Sequence, residues 1–358
     1  MSGQRLGRGP APHRTRCWVT ATVTLALLCG LAATGCESAG TAESGRTTAV
    51  DPIGVVVPMN SPFWQAYEAA VPRQAQAQNV HTLPSVNSNS DIQQQISDIH
   101  NLITKHVRGL VVGPLDSAAI RPGLSAAERV GVPVVAVDVT PDSGTVAMVV
   151  RADNRAFGRK ACHYLGRAVK TGKVVQVQGD LASVNGRDRS EAFSACMAKN
   201  YPGIKVLDVP ADWQPAKAAA GLEARFRVDP DIKGIYLQAG GDYLEPALST
   251  LNRRNALFPV GDPRHLTIVS NDGIPQELDA IRSGEIDATV SQPVDLYAKY
   301  AITYIKKAIA GQSFAPGPTD HHSTIVRLPS GLLEDRLPAP LVTKRNVDDK
   351  TLWGNSPR

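Results

Sequence analysis

The 358-residue chain is missing the short signatures that usually announce chemistry. It has no G-x-S-x-G nucleophile elbow, no H-E-x-x-H, no G-x-x-x-x-G-K-[ST] and no G-x-G-x-x-G. Serine hydrolysis, zinc proteolysis and loop-held phosphates therefore lose their main support. Gly166 and Gly172-Lys173 stand one residue too far apart for a phosphate loop, and Val174 follows the lysine. No Cys/His spacing suggests zinc. His163, His321 and His322 read as surface or core histidines, and no cofactor or metal is expected. Aromatic residues are only 5% of the chain, yet Phe63, Trp64 and Tyr67 fall within five positions, directly after the apolar run Ile53–Val57.

A strong charge of one sign is missing too. The chain has 38 basic and 33 acidic residues, a net +5, and a pI of about 8.9. That excess belongs to the first residues. Residues 1–16 contain Arg5, Arg8, Arg14 and Arg16 and no acid, an apolar run follows from Cys17 to about Ala33, and Ala33-Thr34-Gly35 precede Cys36. A basic start, an apolar middle and a small-residue cleavage site make an export signal, too short and wrongly flanked for a membrane span. Cleavage before Cys36 leaves 34 basic and 33 acidic residues. Nothing basic then remains to argue for nucleic acid.

The small residues before Cys36 resemble the lipobox of bacterial lipoproteins, with Ala33 where leucine is more usual. That resemblance implies a signal peptide over 1–35 and a membrane anchor through lipid on Cys36; the plainer alternative is a secretory signal with an incidental cysteine. Residues 36–50 are small and polar, a tether with a reach of roughly 20 Å by coil statistics. Of five cysteines, only Cys162 and Cys196 lie beyond this region. In an exported chain a disulfide between them is chemically allowed, and two separate buried thiols fit equally.

From Asp51 onward, short β-branched runs alternate with amphipathic stretches. The runs are 53–57, 109–113, 132–138, 173–179, 204–210, 232–238, 266–272 and 287–293. Continuous apolar runs of this length fit parallel strands buried on both faces. Between them, Ser90 is placed to cap a helix with Gln93 at its third position, and Ile92, Ile96, Ile99, Leu102 and Ile103 form one stripe. Strand–helix alternation over about 270 residues predicts an α/β protein, doubly wound and too long for one core, hence two parallel-sheet lobes. Changes of texture near 150–154, after Gln292-Pro293 and near His321 mark three passages between lobes, a three-strand hinge. The expected division is 51–152 plus 293–321 for the N-terminal lobe, 153–292 plus 322–340 for the C-terminal lobe, and a C-terminal tail over 341–358, with the chain from Pro329 onward proline-rich and loop-like.

In open α/β sheets ligands bind beyond the carboxyl ends of the strands. Those positions carry Asn60 to Trp64, Asp138, Arg187 and Arg189, Asp212 and Trp213, Gly240 to Asp242, Asp272 and Gln292. Aromatic faces suit the C–H faces of a sugar ring, and carboxylate, guanidinium and amide groups suit its hydroxyl pairs. Hydrogen bonds to charged groups contribute roughly 1.5–3 kcal/mol each, so two or three define a specific sugar. Each residue also has a plainer role: Phe63 and Trp64 as packing at a helix start, Asp138, Asp242 and Asp272 as helix caps, Arg187 as a solvated or salt-bridged group.

The order of N-x-P-F-W, V-P-V-V-A-V-D, A-D-N, R-x-x-x-F, A-D-W, the G-D pair, N-D-G and A-T-V-x-Q-P resembles the ribose/galactose-type periplasmic sugar-binding proteins of ABC importers, across nearly all of 51–328. The late V-T-K-R-N-V-D-D…L-W-G-N is similar to tails of that family. The resemblance implies the type I periplasmic binding protein fold and a non-enzymatic monomer that captures a sugar or polyol and docks on a permease. By position, Phe63 and Trp64 would contact one sugar face and Trp213 the other. Asp138, Arg189, Asp242, Asp272 and Gln292 would take hydroxyls, with Asn60 and Ser61 where the family often has asparagines. Ribose binders commonly place arginine at Val139 and asparagine where Gly240-Gly241 stand, and a glycine where Ala192 follows Arg189; these departures point to a solute other than ribose. Rival readings are a same-fold sensory receptor feeding a chemoreceptor or sensor kinase, and an exported carbohydrate-active enzyme using Asp138 and Asp272 as paired carboxylates.

Overall fold

The computed structural model describes residues 52–356; the expected signal segment, Cys36 and the expected tether all lie outside the described residues. In chain order the first sheet begins with β1 (Ile53–Val57), α1 (Pro62–Ala77), β2 (Val86–Asn87), α2 (Ile92–Thr104), β3 (Gly109–Val112), α3 (Arg121–Arg129), β4 (Val134–Val137) and β5 (Met148–Ala152). The second follows with α4 (Asn154–Val169), β6 (Gly172–Gln178), α5 (Val184–Asn200), β7 (Ile204–Pro210), α6 (Pro215–Val228), β8 (Ile232–Leu237), α7 (Gly240–Arg253), β9 (Thr267–Asp272), α8 (Pro275–Ser283) and β10 (Ala288–Ser291). The last stretch holds α9 (Val294–Ile309), β11 (Gly317–Pro318), β12 (Thr324–Arg327), β13 (Leu333–Leu337) and β14 (Leu341–Thr343).

The sheets run β11-β12-β13-β5-β4-β3-β1-β2 and β14-β10-β9-β8-β6-β7. Their centres are parallel, as expected, but β11, β12 and β14 pair antiparallel at the edges, so both sheets are mixed. All eight apolar runs became strands. Helices cover both faces of each sheet: α1 and α9 on one side of the first and α2 and α3 on the other, with α6 to α8 and α4 and α5 doing the same for the second. Such two-sided burial is why those strands lack polar alternation.

Two boundaries need correction. Residues 322–340 were expected in the C-terminal lobe, yet β12 and β13 complete the first sheet, β13 lying parallel beside β5. The third passage between sheets is therefore at Pro338-Ala339-Pro340, not near His321. The tail beyond 341 is not only loop, since β14 pairs with β10 in the second sheet. At α2 the cap is Asp91, whose side chain accepts from the N–H groups of Gln93 at 2.8 Å and Gln94 at 3.1 Å. Ser90 sits one residue early, with a left-handed φ of 62°. Cys162 on α4 and Cys196 on α5 are joined as a disulfide, with Cα atoms 6.1 Å apart.

Candidate functional site

Ser61, Phe63, Trp64, Asp138, Arg189, Trp213, Asp242, Asp272 and Gln292 line one cavity where the carboxyl ends of both sheets face each other. The volume open to the centre of a water-sized sphere is about 50 Å³, room for a few waters or one small solute. Asn60 is the exception among the expected residues. It is exposed, and its Oδ1 accepts from Gln65 Nε2 one turn along α1 at 2.8 Å; Met59 lines the cavity instead.

One wall is built by the start of α1. The Ser61 hydroxyl accepts from Trp64 N–H at 3.4 Å, capping the helix, and Pro62 opens its first turn. This cap swings Phe63 and Trp64 inward. Their rings meet edge to face at 5.4 Å, and Phe63 is held the same way by Tyr297 and Trp353. The far edge of the Trp64 indole lies against Gly113 at the end of β3, where a Cβ would stand 2.4 Å from it.

The facing wall is Trp213. Its N–H donates to Tyr243 Oη at 2.8 Å, and its ring stacks on Tyr243 with planes 15° apart. A Cβ at Gly179, the residue after β6, would come within 1.9 Å of the indole. Both tryptophans thus need a glycine at a strand end, a requirement that no local sequence pattern announces.

Polar groups fill the space between. Asp138 is buried and accepts from Asn185 Nδ2 at 3.0 Å through Oδ2, while Oδ1 has no partner among the described residues. Burial pushes its carboxyl above the usual range, against the pull of Arg189, Arg151 and the Asn185 bond. Arg189 is held by Asn154 Oδ1 at 2.6 Å from Nε and by the Gln238 carbonyl from Nη1, with its guanidinium 5.1 Å from the centre of Phe157 and 5.6 Å from Trp213. Asp272 accepts from Gln292 Nε2 at 2.7 Å and from Gly241 N–H, in the first turn of α7, at 2.9 Å. Tyr297 Oη donates to Gln292 Oε1 at 3.2 Å, fixing the amide's direction. Burial raises Asp272 to about 6, and burial with the Asp272 charge raises half-buried Asp242 to about 8. Neither Asp138 nor Asp272 caps its own following helix.

Three of these residues carry backbone that side chains rarely adopt: φ is 64° at Asp138, 58° at Trp213 and 111° at Asp272. Such positions cost on the order of 1–3 kcal/mol each and collect where function needs them. Asn185 and Asn154 were not singled out as site residues. Asn185 lies four residues before Arg189, on the same face of α5, and Asn154 belongs to the A-D-N crossover.

The cleft lip is closed by direct contacts between the two halves. Val184 N–H donates to Ser117 Oγ at 2.9 Å, and Arg187, outside the cavity lining, pairs with Asp142 at 2.7 Å. Behind the cleft, Arg151 of β5 bridges Glu334 of β13 and Asp188 of α5, and donates to Asn185 Oδ1 at 2.8 Å.

Residues 53–313 match the sequence pattern of the periplasmic binding protein domain. The chain belongs to the periplasmic binding proteins. A ribose import binding protein of Bacillus subtilis is 27% identical over 244 residues, 68% of this chain and 76% of that one. A xylitol-binding protein of Mycolicibacterium smegmatis is 28% identical over 278 residues, 76% of each. Among solved structures, an ABC transporter solute binding protein from Mycobacterium smegmatis with bound glycerol superposes with a TM-score of 0.71 at 29% identity, covering 84% of this chain and 96% of that one. The family is one of binding proteins, not enzymes, and the two relatives above are named for ribose and xylitol. For this periplasmic binding protein the paired-carboxylate enzyme reading therefore falls away.

Proposed function

We propose that this periplasmic binding protein captures one sugar or sugar-like polyol between its two sheets outside the cytoplasm and delivers it to the permease of an ABC importer. One arrangement carries the reading. Two aromatic walls face each other across a cavity for a single small solute, and a buried carboxylate oxygen with no partner among the described residues, Asp138 Oδ1, borders it. Stacking on Phe63, Trp64 and Trp213 takes the C–H faces; Asp138, Asp272, Gln292 and Arg189 take hydroxyls. Solute bound between the halves adds contacts to both, and so favours the closed arrangement that the Ser117–Val184 and Asp142–Arg187 contacts also stabilise. Val139 and Ala239 line the cavity. Neither side chain can bind a hydroxyl, which supports a solute other than ribose.

The test is thermal-shift measurement with pentoses, hexoses, deoxy sugars and polyols at millimolar concentration. Stabilisation by a few related solutes is expected; silence across the panel refutes the sugar class. The anchor belongs to the same proposal: Cys36→Ser should release the protein from membranes, and retention refutes lipidation at Cys36.

A further inference from the structure

We propose that the Asp242 corner of the cleft is a seat for a protonated amine, so that the captured solute is a sugar or polyol bearing an amino group. This rests on the sugar-or-polyol reading and narrows it.

The first observation is the charge lining the cavity. Three carboxylates, Asp138, Asp242 and Asp272, face it with one guanidinium, Arg189. Val139 stands where the family resemblance placed a second arginine. Arg151 pulls on Asp138 from behind but does not line the cavity, and its own charge is offset by Glu334 and Asp188. The second observation is where acceptor capacity is left over. Both oxygens of Asp272 are occupied, by Gln292 and by the Gly241 N–H. Asp242, on the same side of the cleft, makes no hydrogen bond or ion pair among the described residues, and buried Asp138 Oδ1 is likewise unpartnered. Asp212, beside Trp213, is neutralised by Lys217 at 2.7 Å.

A neutral polyol can donate to these oxygens but cannot offset the charge that a second ionised carboxylate would add. An ammonium supplies three donors and one positive charge, and charge-assisted bonds are roughly twice as strong as neutral ones. Seated beside Asp242 and Asp272, it lets both carboxyls ionise together, which their mutual repulsion opposes in the empty cleft, while solute hydroxyls meet Asp138. In the empty cleft, burial and the Asp272 charge hold Asp242 up to about 8, so it carries a proton at pH 7. The charged groups that line the same cavity are Asp272 from β9, Arg189 from α5 and Asp138 from the end of β4, and Asp272 is the one whose charge acts on it. An arriving ammonium favours the carboxylate and expels that proton; a neutral solute does not. Affinity for the amine therefore rises with pH from 6 to 8, as long as the amine itself stays protonated.

Titration calorimetry at pH 7, in two buffers of different ionisation enthalpy, tests this with matched pairs: D-glucosamine with D-glucose, D-galactosamine with D-galactose, D-mannosamine with D-mannose, and 1-amino-1-deoxy-D-glucitol with D-glucitol. At least one amino member should bind tenfold or more tighter than its neutral partner and release close to one proton. Asp242→Asn should lower that affinity tenfold or more. Neutral members binding as well as or better than amino members in every pair overturn the amine seat and leave the sugar reading standing. Amine binding without proton release, which needs no variant to measure, also overturns it. Silence from every pair overturns the amine seat and leaves the sugar reading to the wider panel.

Discussion

Gly179→Ala is the substitution that isolates the Trp213 wall. Gly179 has no left-handed φ, and its N–H donates to Gln238 Oε1 at 2.9 Å, a bond that alanine keeps. Space alone opposes the change: the new methyl would meet three indole atoms of Trp213 at 1.9, 2.2 and 2.3 Å. Contacts below 3 Å are not tolerated, and the obstacle is a ring in van der Waals register with Tyr243 and Arg189, so the indole must leave its seat. Losing the Tyr243 stack costs about 0.5–1.5 kcal/mol, and losing the Arg189 contact about 0.5–1 kcal/mol. A total near 1–2.5 kcal/mol falls within the usual cost of overpacking, about 1–3 kcal/mol, which the fold should survive. With the wall displaced, solute affinity should fall ten- to a hundredfold, about 1.4–2.8 kcal/mol. Calorimetric titration with the best solute of the panel reads that loss directly. In a Trp213→Ala background the same methyl has no ring to push, so its effect on affinity should vanish. Unchanged affinity in Gly179→Ala, or an equal loss with and without Trp213, refutes the wall.

Other expectations follow from the same geometry. Asp138→Ala should lower affinity at least a hundredfold while the protein stays folded by circular dichroism, and Arg189→Ala should do the same; titration with affinity intact sinks either assignment. Reducing the Cys162–Cys196 bridge, which spans 34 positions, should cost about 4 kcal/mol of stability by loop-closure entropy, read as a lower denaturation midpoint under reductant. Asp272, held up to about 6, and Glu277, held up to about 8 by burial and then the Asp272 charge, keep protons in the folded state that the unfolded chain gives up near pH 4. Their stabilisation is full below that range and lost as pH rises through the folded values. The melting temperature of the empty protein should therefore fall between pH 5 and 8, and a flat or rising curve refutes the buried-acid reading. Truncation before Trp353 should weaken solute binding, because its Nε1–H donates to the Asp272 carbonyl at 3.0 Å and its ring braces Phe63.

The parallel strands were legible because two-sided burial demands unbroken apolar runs. The strands from 324 onward were not, because β13 reads Leu-Glu-Asp-Arg-Leu and its acids are buried through partners remote in sequence. Glu334 meets Arg151, and Asp335 meets Tyr304, Ser323 and His321, which itself stacks on Tyr300. A strand whose polar residues are satisfied from three other elements carries no period of its own. Within the cleft, rings and charges at strand ends could be found by position. Asn60 was misassigned because sequence does not say which of two adjacent side chains turns inward from a loop. Gly113 and Gly179 escaped because a glycine's role lies in the ring that occupies its missing side chain.

The late placement of β13 and β14 has a consequence for how the molecule is made. The first sheet keeps β5 as an open edge until residue 337 has been synthesised, and the face that α1 shares with α9 stays only partly covered until α9 arrives over 294–309. The second sheet waits for 341–343 to close its β10 edge. Neither half can finish burying its apolar surface while most of the chain is still emerging from the ribosome. A chain whose halves close this late keeps apolar surface and strand edges open through much of its synthesis, and is most exposed to aggregation during that interval.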